Sequence, residues 1–155
     1  MPASAIDDIP TADLGRRFGG VQRLYGIEAA ARIAAAHVAV VGIGGVGSWS
    51  AEALARSGVG RLTLIDLDHV AESNLNRQVH ALHGTIGQPK VQAMRDRIAG
   101  INPRAVVTGV EAFVEGDNWP AILPEPVDAV IDACAAPRHY ADGTCGVDDN
   151  AGVCE

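Results

Sequence analysis

Val38-Ala39-Val40-Val41-Gly42-Ile43-Gly44-Gly45-Val46-Gly47 joins a short apolar run to a glycine-rich turn, and its reading decides the fold. Val38 to Val41 shows no polar alternation, so it reads as a strand buried on both faces. Val46 to Ser57 reads as a helix, ended by Gly58-Val59-Gly60. A Gly-x-Gly-x-x-Gly pattern is weak by itself, but between a strand and a helix it has a physical purpose. Gly42, Gly44, Gly45 and Gly47 permit a tight turn and let a phosphate approach the backbone, while the helix N-terminus supplies N–H donors and positive potential. The plainer alternative is a tight turn that binds nothing.

The pattern continues outward from that unit. Leu62 to Asp66 is expected as a second strand, and Pro89 as the opening of a helix to about Gly100, since proline at the first helical position loses no hydrogen bond. Val106 to Val110 reads as a third strand, Asn118 to Leu123 as a short helical piece, and Val127 to Asp132 as a fourth strand. Upstream, Thr11 is an N-cap candidate. Leu14 to Gly26 is interrupted by Gly19-Gly20, and Ile27 to Ala36 is an Ala-rich helix. Strands alternating with helices predict an α/β fold: a doubly wound, mainly parallel, Rossmann-like sheet with helices on both faces. Residues 1–11 read as an irregular tail, 12–134 as one domain and 135–155 as a divergent tail.

Bulk properties narrow the function. The 155 residues have room for one domain, and 48% are apolar with only 4% aromatic, which suits closely packed helices and sheet. A net charge of −7 argues against gripping nucleic acid by overall charge. The three cysteines, Cys134, Cys145 and Cys154, form no Cys-x-x-Cys pair, which argues against a structural zinc site. Asp7 and Asp8 stand where a secretory signal would be basic. Ala29 to Trp49 is apolar but carries Arg32, His37 and four glycines, so it reads as helix then strand and not as a membrane span. A cytoplasmic protein without membrane insertion is the expectation.

The polar residues separate nucleotide chemistries. Asp66 ends the second strand 19 residues beyond Gly47, where a carboxylate can accept from ribose hydroxyls; this does not distinguish ATP from NAD. Asp68 is expected to face solvent or cap the next loop. Asn74, Asn76, Arg77 and Gln78 form a polar cluster for which a dehydrogenase has no use. The Arg77 guanidinium matches phosphate oxygens, and the amides can orient a nucleotide. Lys90 opposes the positive end of its own helix, a position that a phosphate would relieve. Asp132, at the end of strand four, could hold Mg²⁺. His80 and His83 read as a loop or helix-surface pair rather than metal ligands. Cys134 is either a small buried residue or a reactive thiol, and Ser48 either caps or packs.

These residues carry a family resemblance. Arg17-Phe18, Gly42 to Gly47, Asp66-x-Asp68, Asn74-x-x-Arg77-Gln78, Lys90 and Asp132 resemble the adenylating domain of the ubiquitin-activating-enzyme superfamily. Within it, Arg17 to Tyr25, Ser48-Trp49 and Asn74 to Ala81 are most similar to the tRNA threonylcarbamoyladenosine dehydratases. The resemblance implies an ATP-dependent enzyme that activates a carboxylate and cyclises a modified adenosine of tRNA. It implies Gly42, Gly44 and Asp66 at the adenosine, Asn74, Arg77 and Lys90 at the triphosphate, and Mg²⁺ at Asp132. It also implies a homodimer in which Arg17 (or its neighbour Arg16) reaches the partner's ATP site. A cysteine desulfurase or sulfur-acceptor system remains open as a further partner.

Two rival readings stay open: adenylation of the C-terminal glycine of a sulfur-carrier protein, and a non-catalytic nucleotide-binding module. The resemblance covers about Leu14 to Cys134. The tail from Ala135 to Glu155 has three glycines, four acids and no periodicity, so it is expected to be disordered. A truncated or frame-shifted adenylating domain is therefore expected, with strand four an uncovered edge and activity weak or absent.

Overall fold

The computed structural model describes residues 12–134 and the backbone of 152–154. Helices α1 (Leu14–Tyr25) and α2 (Ile27–Ala35) lead into β1 (His37–Val41). Then follow α3 (Gly47–Arg56), β2 (Arg61–Ile65), two 3-10 turns (Glu72–Asn74 and His83–Thr85), α4 (Lys90–Ile101), β3 (Val106–Val110), β4 (Ala129–Asp132) and β5 (Gly152–Cys154). The sheet order is β3-β2-β1-β4-β5. The first four strands are parallel, while β5 pairs antiparallel with β4. Chain direction thus reverses its march at β1–β4, the switch point where such sheets open a crevice beyond the strand C-termini.

Strand parity sorts the core. Val38 and Val40 of β1 and Leu62 and Leu64 of β2 face one side, against Ala51 and Ala55 of α3 and Val91, Met94 and Ile98 of α4. Alanines on α3 allow close approach to the strands, and the α4 residues recur at helical spacing. Glu52 of α3 locks the two helices: its buried carboxylate receives Arg97 of α4, and Arg56 Nη2 lies 2.8 Å from the same group. The opposite face carries Val41 and Ile65. It is covered by Val114, Trp119, Ile122 and Leu123, so among the described residues this face is closed by turns and not by a helix.

Several elements differ from expectation. Asp13, not Thr11, caps α1 by accepting the Arg16 N–H at 3.1 Å; Thr11 lies outside the described residues. Helix α1 runs unbroken through Gly19-Gly20. Residues 118–122 form turns and not a helix, with the Leu123 N–H returning to the Pro120 carbonyl at 3.0 Å in place of a continued helical ladder. Within the tail expected to be disordered, Gly152–Cys154 form a strand, so β4 is not a bare edge. The remainder of 135–151 and Glu155 lies outside the described residues.

Candidate functional site

The turn after β1 closes on itself and on β4. Gly42 adopts φ +84, and a Cβ there would stand 3.0 Å from the Ala133 carbonyl oxygen. A Cβ on Gly47 would lie 1.7 Å from the Gly42 carbonyl oxygen, so no side chain fits. These two glycines are required by turn closure before any ligand is considered. Gly44 and Gly45 face the polar segment instead: their Cβ positions lie 3.9 Å from Gln78 Nε2 and 3.4 Å from Arg77 Cγ. Helix α3 begins at Gly47, so its positive N-terminal end points into the same place.

Segment 74–80 is laced to this turn residue by residue. The Arg77 stem lies over Gly45, and its guanidinium donates to the Ser73 carbonyl and to Asn76 Oδ1, both at 3.0 Å, while staying exposed. Trp49 Nε1 of α3 donates to the Arg77 carbonyl at 2.9 Å. Val79 N–H donates to Ser48 Oγ at 3.3 Å, so the buried Ser48 fastens the segment. His80 Nε2 lies 2.9 Å from the Ile43 carbonyl oxygen. Asn74 is buried, its Oδ1 accepting the Ala71 N–H at 2.8 Å, so it shapes the segment from beneath.

Across the crevice, Asp66 Oδ2 accepts the Ile43 N–H at 2.6 Å and Oδ1 the Asp68 N–H at 2.8 Å. Lys90 is buried, with Nζ donating to Asp68 Oδ2 at 3.1 Å. The expectation of a lysine lacking an anionic partner is therefore corrected: the exposed Asp68 supplies the charge. Asp132 is buried at the end of β4 beside Val41, and its Oδ1 accepts the Cys134 N–H at 3.0 Å. Asp132, the glycine turn, Asp66, Arg77 and Lys90 all lie at the strand C-terminal edge.

Arg17 does not join them. Its Nη1 donates to the Ile101 carbonyl at 2.7 Å, at the end of α4 opposite Lys90. The twelve residues of α4 separate the two ends by roughly 18 Å. His80 also departs from the expected surface pair. It is 1% exposed, whereas His83 begins a 3-10 turn elsewhere. Burial, reinforced by Lys90 and Arg97, holds the His80 ring below the usual histidine range against the opposing Ile43 carbonyl and Asp66. Sequence reasoning missed His80, Trp49 and Glu52 as structural partners of the site. Trp49 follows Ser48 at the turn, but nothing local announces its hydrogen bond to Arg77.

A glycine turn at the β1–β4 switch point, an acid ending β2 and cations on the following segments, all at one edge of a parallel sheet, define an α/β domain of the doubly wound class. The chain belongs to the ThiF family, which it matches over residues 19–142. That span runs eight residues past Cys134 and begins just after Arg17 and Phe18. Over 126 residues it is 51% identical to tRNA threonylcarbamoyladenosine dehydratase of Escherichia coli K12, covering 81% of this chain and 47% of that protein. It is 46% identical over 88 residues to molybdopterin-synthase adenylyltransferase of Salmonella typhimurium, covering 57% of this chain and 35% of that protein. The crystal structure of the E. coli dehydratase in complex with ATP superposes with a TM-score of 0.80 at 47% identity, over 88% of this chain and 56% of that one. The chain thus spans about half the length of the dehydratase it matches.

Proposed function

We propose that this domain binds ATP and activates a carboxylate as an acyl-adenylate, in the reaction that cyclises N6-threonylcarbamoyladenosine in tRNA. The observation that carries this reading is the Arg77 stem lying over Gly45 while its guanidinium stays exposed beside the turn. A dinucleotide cradle needs only the helix end and the glycines; an added fork of N–H donors suits a triphosphate. The 51% identity to the E. coli dehydratase favours the tRNA substrate.

In this mechanism a substrate carboxylate oxygen attacks the α-phosphorus. The bond to the bridging oxygen breaks and pyrophosphate leaves with the electron pair. An internal nitrogen of the modified nucleoside then attacks the acyl carbon, AMP departs, and the nitrogen loses its proton. The chain's part is positioning and charge neutralisation. Turn amides at Gly44 and Gly45 and the α3 N-terminus face phosphate oxygens, Asp66 accepts from ribose, and Gln78 orients the nucleotide. Arg77 and Lys90 offset negative charge on the phosphates.

A magnesium ion would offset phosphate charge further. Asp132 would hold it, because a single buried carboxylate suits an ion carried largely by phosphates and water. A homodimer, with Arg17 serving the partner's site, completes the reading.

A second reading is favoured by the similarity to the Salmonella adenylyltransferase: adenylation of a sulfur-carrier protein's C-terminus. ATP–pyrophosphate exchange separates the readings. Exchange stimulated by threonylcarbamoyl-modified tRNA supports the first, and exchange stimulated by a carrier protein ending in glycine supports the second. Exchange with neither substrate overturns both.

A further inference from the structure

We propose that His80 is a positioning residue that sets the nucleotide turn from beneath by donating an Nε2–H to the Ile43 carbonyl. The proposal rests on the ATP reading above. Ile43 is fully buried at the centre of the turn, and both ends of its peptide environment are clamped. Its N–H goes to Asp66 Oδ2 at 2.6 Å and its carbonyl faces His80 Nε2 at 2.9 Å. One clamp holds the turn to the residue proposed to read ribose. The other holds it to the segment that carries Arg77. The geometry of Gly44 and Gly45 between them is therefore fixed relative to both halves of the nucleotide.

A carbonyl can only accept, so the ring nitrogen facing it must carry a proton. Nδ1 is buried and has no hydrogen-bond partner. In the neutral Nε2–H form, Nδ1 is an unsatisfied acceptor; in the imidazolium, it would be a buried donor carrying charge, which costs more. Lys90 and Arg97 oppose the charged form, and Asp66 only partly compensates, in agreement with a neutral ring. The neighbouring Val79 N–H to Ser48 Oγ bond fixes the backbone from which His80 reaches inward. Neutral His80 thus couples segment 74–80 to the turn without touching the nucleotide.

Two measurements on the full chain test this. ATP dissociation constants are compared for the wild type, His80→Leu and His80→Gln, the last offering an amide N–H in place of Nε2–H. Losing the clamp should raise the constant about tenfold in His80→Leu, with His80→Gln restored to within about threefold of wild type. Equal losses in both variants, or none in a folded His80→Leu, overturn the proposal. Nitrogen-15 NMR of wild-type histidine rings needs no variant to fold. A neutral Nε2–H tautomer at pH 7, retained into the acid range, supports the clamp. An Nδ1–H tautomer or an imidazolium at pH 7 overturns it. Failure of the wild type to bind ATP instead sinks the ATP reading, and the tautomer still decides whether His80 holds the turn.

Discussion

Lys90 meets Asp68 twice: its Nζ donates to Asp68 Oδ2 at 3.1 Å and its backbone N–H to the Asp68 carbonyl at 3.0 Å. The pair joins the start of α4 to the loop after β2 and aims a buried ammonium at the crevice edge. Asp68 itself is exposed, so water screens its charge and the pair alone is weak. Lys90→Ala should lower the adenylation rate by about 3 kcal/mol, the scale for losing one preorganised electrostatic stabiliser. Asp68→Asn, which keeps an oxygen acceptor, should cost only about 1 kcal/mol. Pyrophosphate release under saturating ATP checks both, and equal losses would make Asp68 more than an orienting partner.

Arg77→Ala should likewise cost about 3 kcal/mol in pyrophosphate formation while leaving the fold intact, because the side chain is exposed and its guanidinium bonds only within its own segment, to Ser73 and Asn76, among the described hydrogen bonds. Chemical denaturation alongside exchange assays separates the two effects. A large loss of stability would show that Arg77 chiefly braces the turn.

The turn glycines should divide into two classes. Gly47→Ala forces a Cβ to within 1.7 Å of the Gly42 carbonyl oxygen, so the turn must open at a cost of about 3 kcal/mol or more. Gly44→Ala has room at 3.9 Å and should fold normally, weakening only nucleotide binding. Urea midpoints and ATP titrations on the two variants check this. A stable Gly47→Ala protein would contradict the geometry of closure.

What the sequence disclosed follows from the range of the interactions. The Val38 to Val41 core strand is legible because burial imprints a local pattern on the chain, whereas Val106 to Val110 has no buried residue and is legible from its β-branched composition. The glycine turn, Asp66 and Asp132 are legible because strand ends at a switch point fix where polar residues must stand. The unbroken α1 is not, since a Gly19-Gly20 pair costs helix stability locally. Long-range contacts, Phe18 against Gly58 and Arg17 on the Ile101 carbonyl, outweigh that cost. Burial of His80 is hidden for the same reason: its acceptor lies 37 positions away. Strand β5 has only three residues, too few to show a period.

Glu52 makes stability depend on acid pH. Hydrogen bonding from Arg97 is the main cause that lowers its carboxyl, with Arg56 adding to it and burial opposing. A folded-state value below the unfolded one means that the stabilisation is fully present above about 4.5 and is lost as pH falls through the folded value. Glu52→Gln should flatten this acid limb and lower stability at pH 7 by about 1–3 kcal/mol, the range for a hydrogen-bonded charge removed from a buried site. Denaturant midpoints from pH 7 down to 3 check it, and an unchanged acid limb in Glu52→Gln would assign the dependence to other carboxylates.

Arg17 sits at the far end of α4 from Lys90, with its guanidinium on the Ile101 carbonyl. Helix length alone places it roughly 18 Å from the crevice of its own chain, beyond the reach of one side chain. Two roles fit that position. As a cation at a helix C-terminus it satisfies an orphan carbonyl and favours the dipole, a contribution of about 0.3–1 kcal/mol for an exposed group. As a residue acting in trans it would enter the crevice of a second copy. Arg17→Ala lowers activity in either case, so the single variant does not choose between them. Mixed dimers do. An Arg17→Ala chain paired with an Asp132→Ala chain contains one site with both changes and one with neither if Arg17 acts across the interface. Partial recovery of pyrophosphate release in verified heterodimers is the expected outcome. Heterodimers as inactive as either parent would leave Arg17 as a cap on α4 and nothing more.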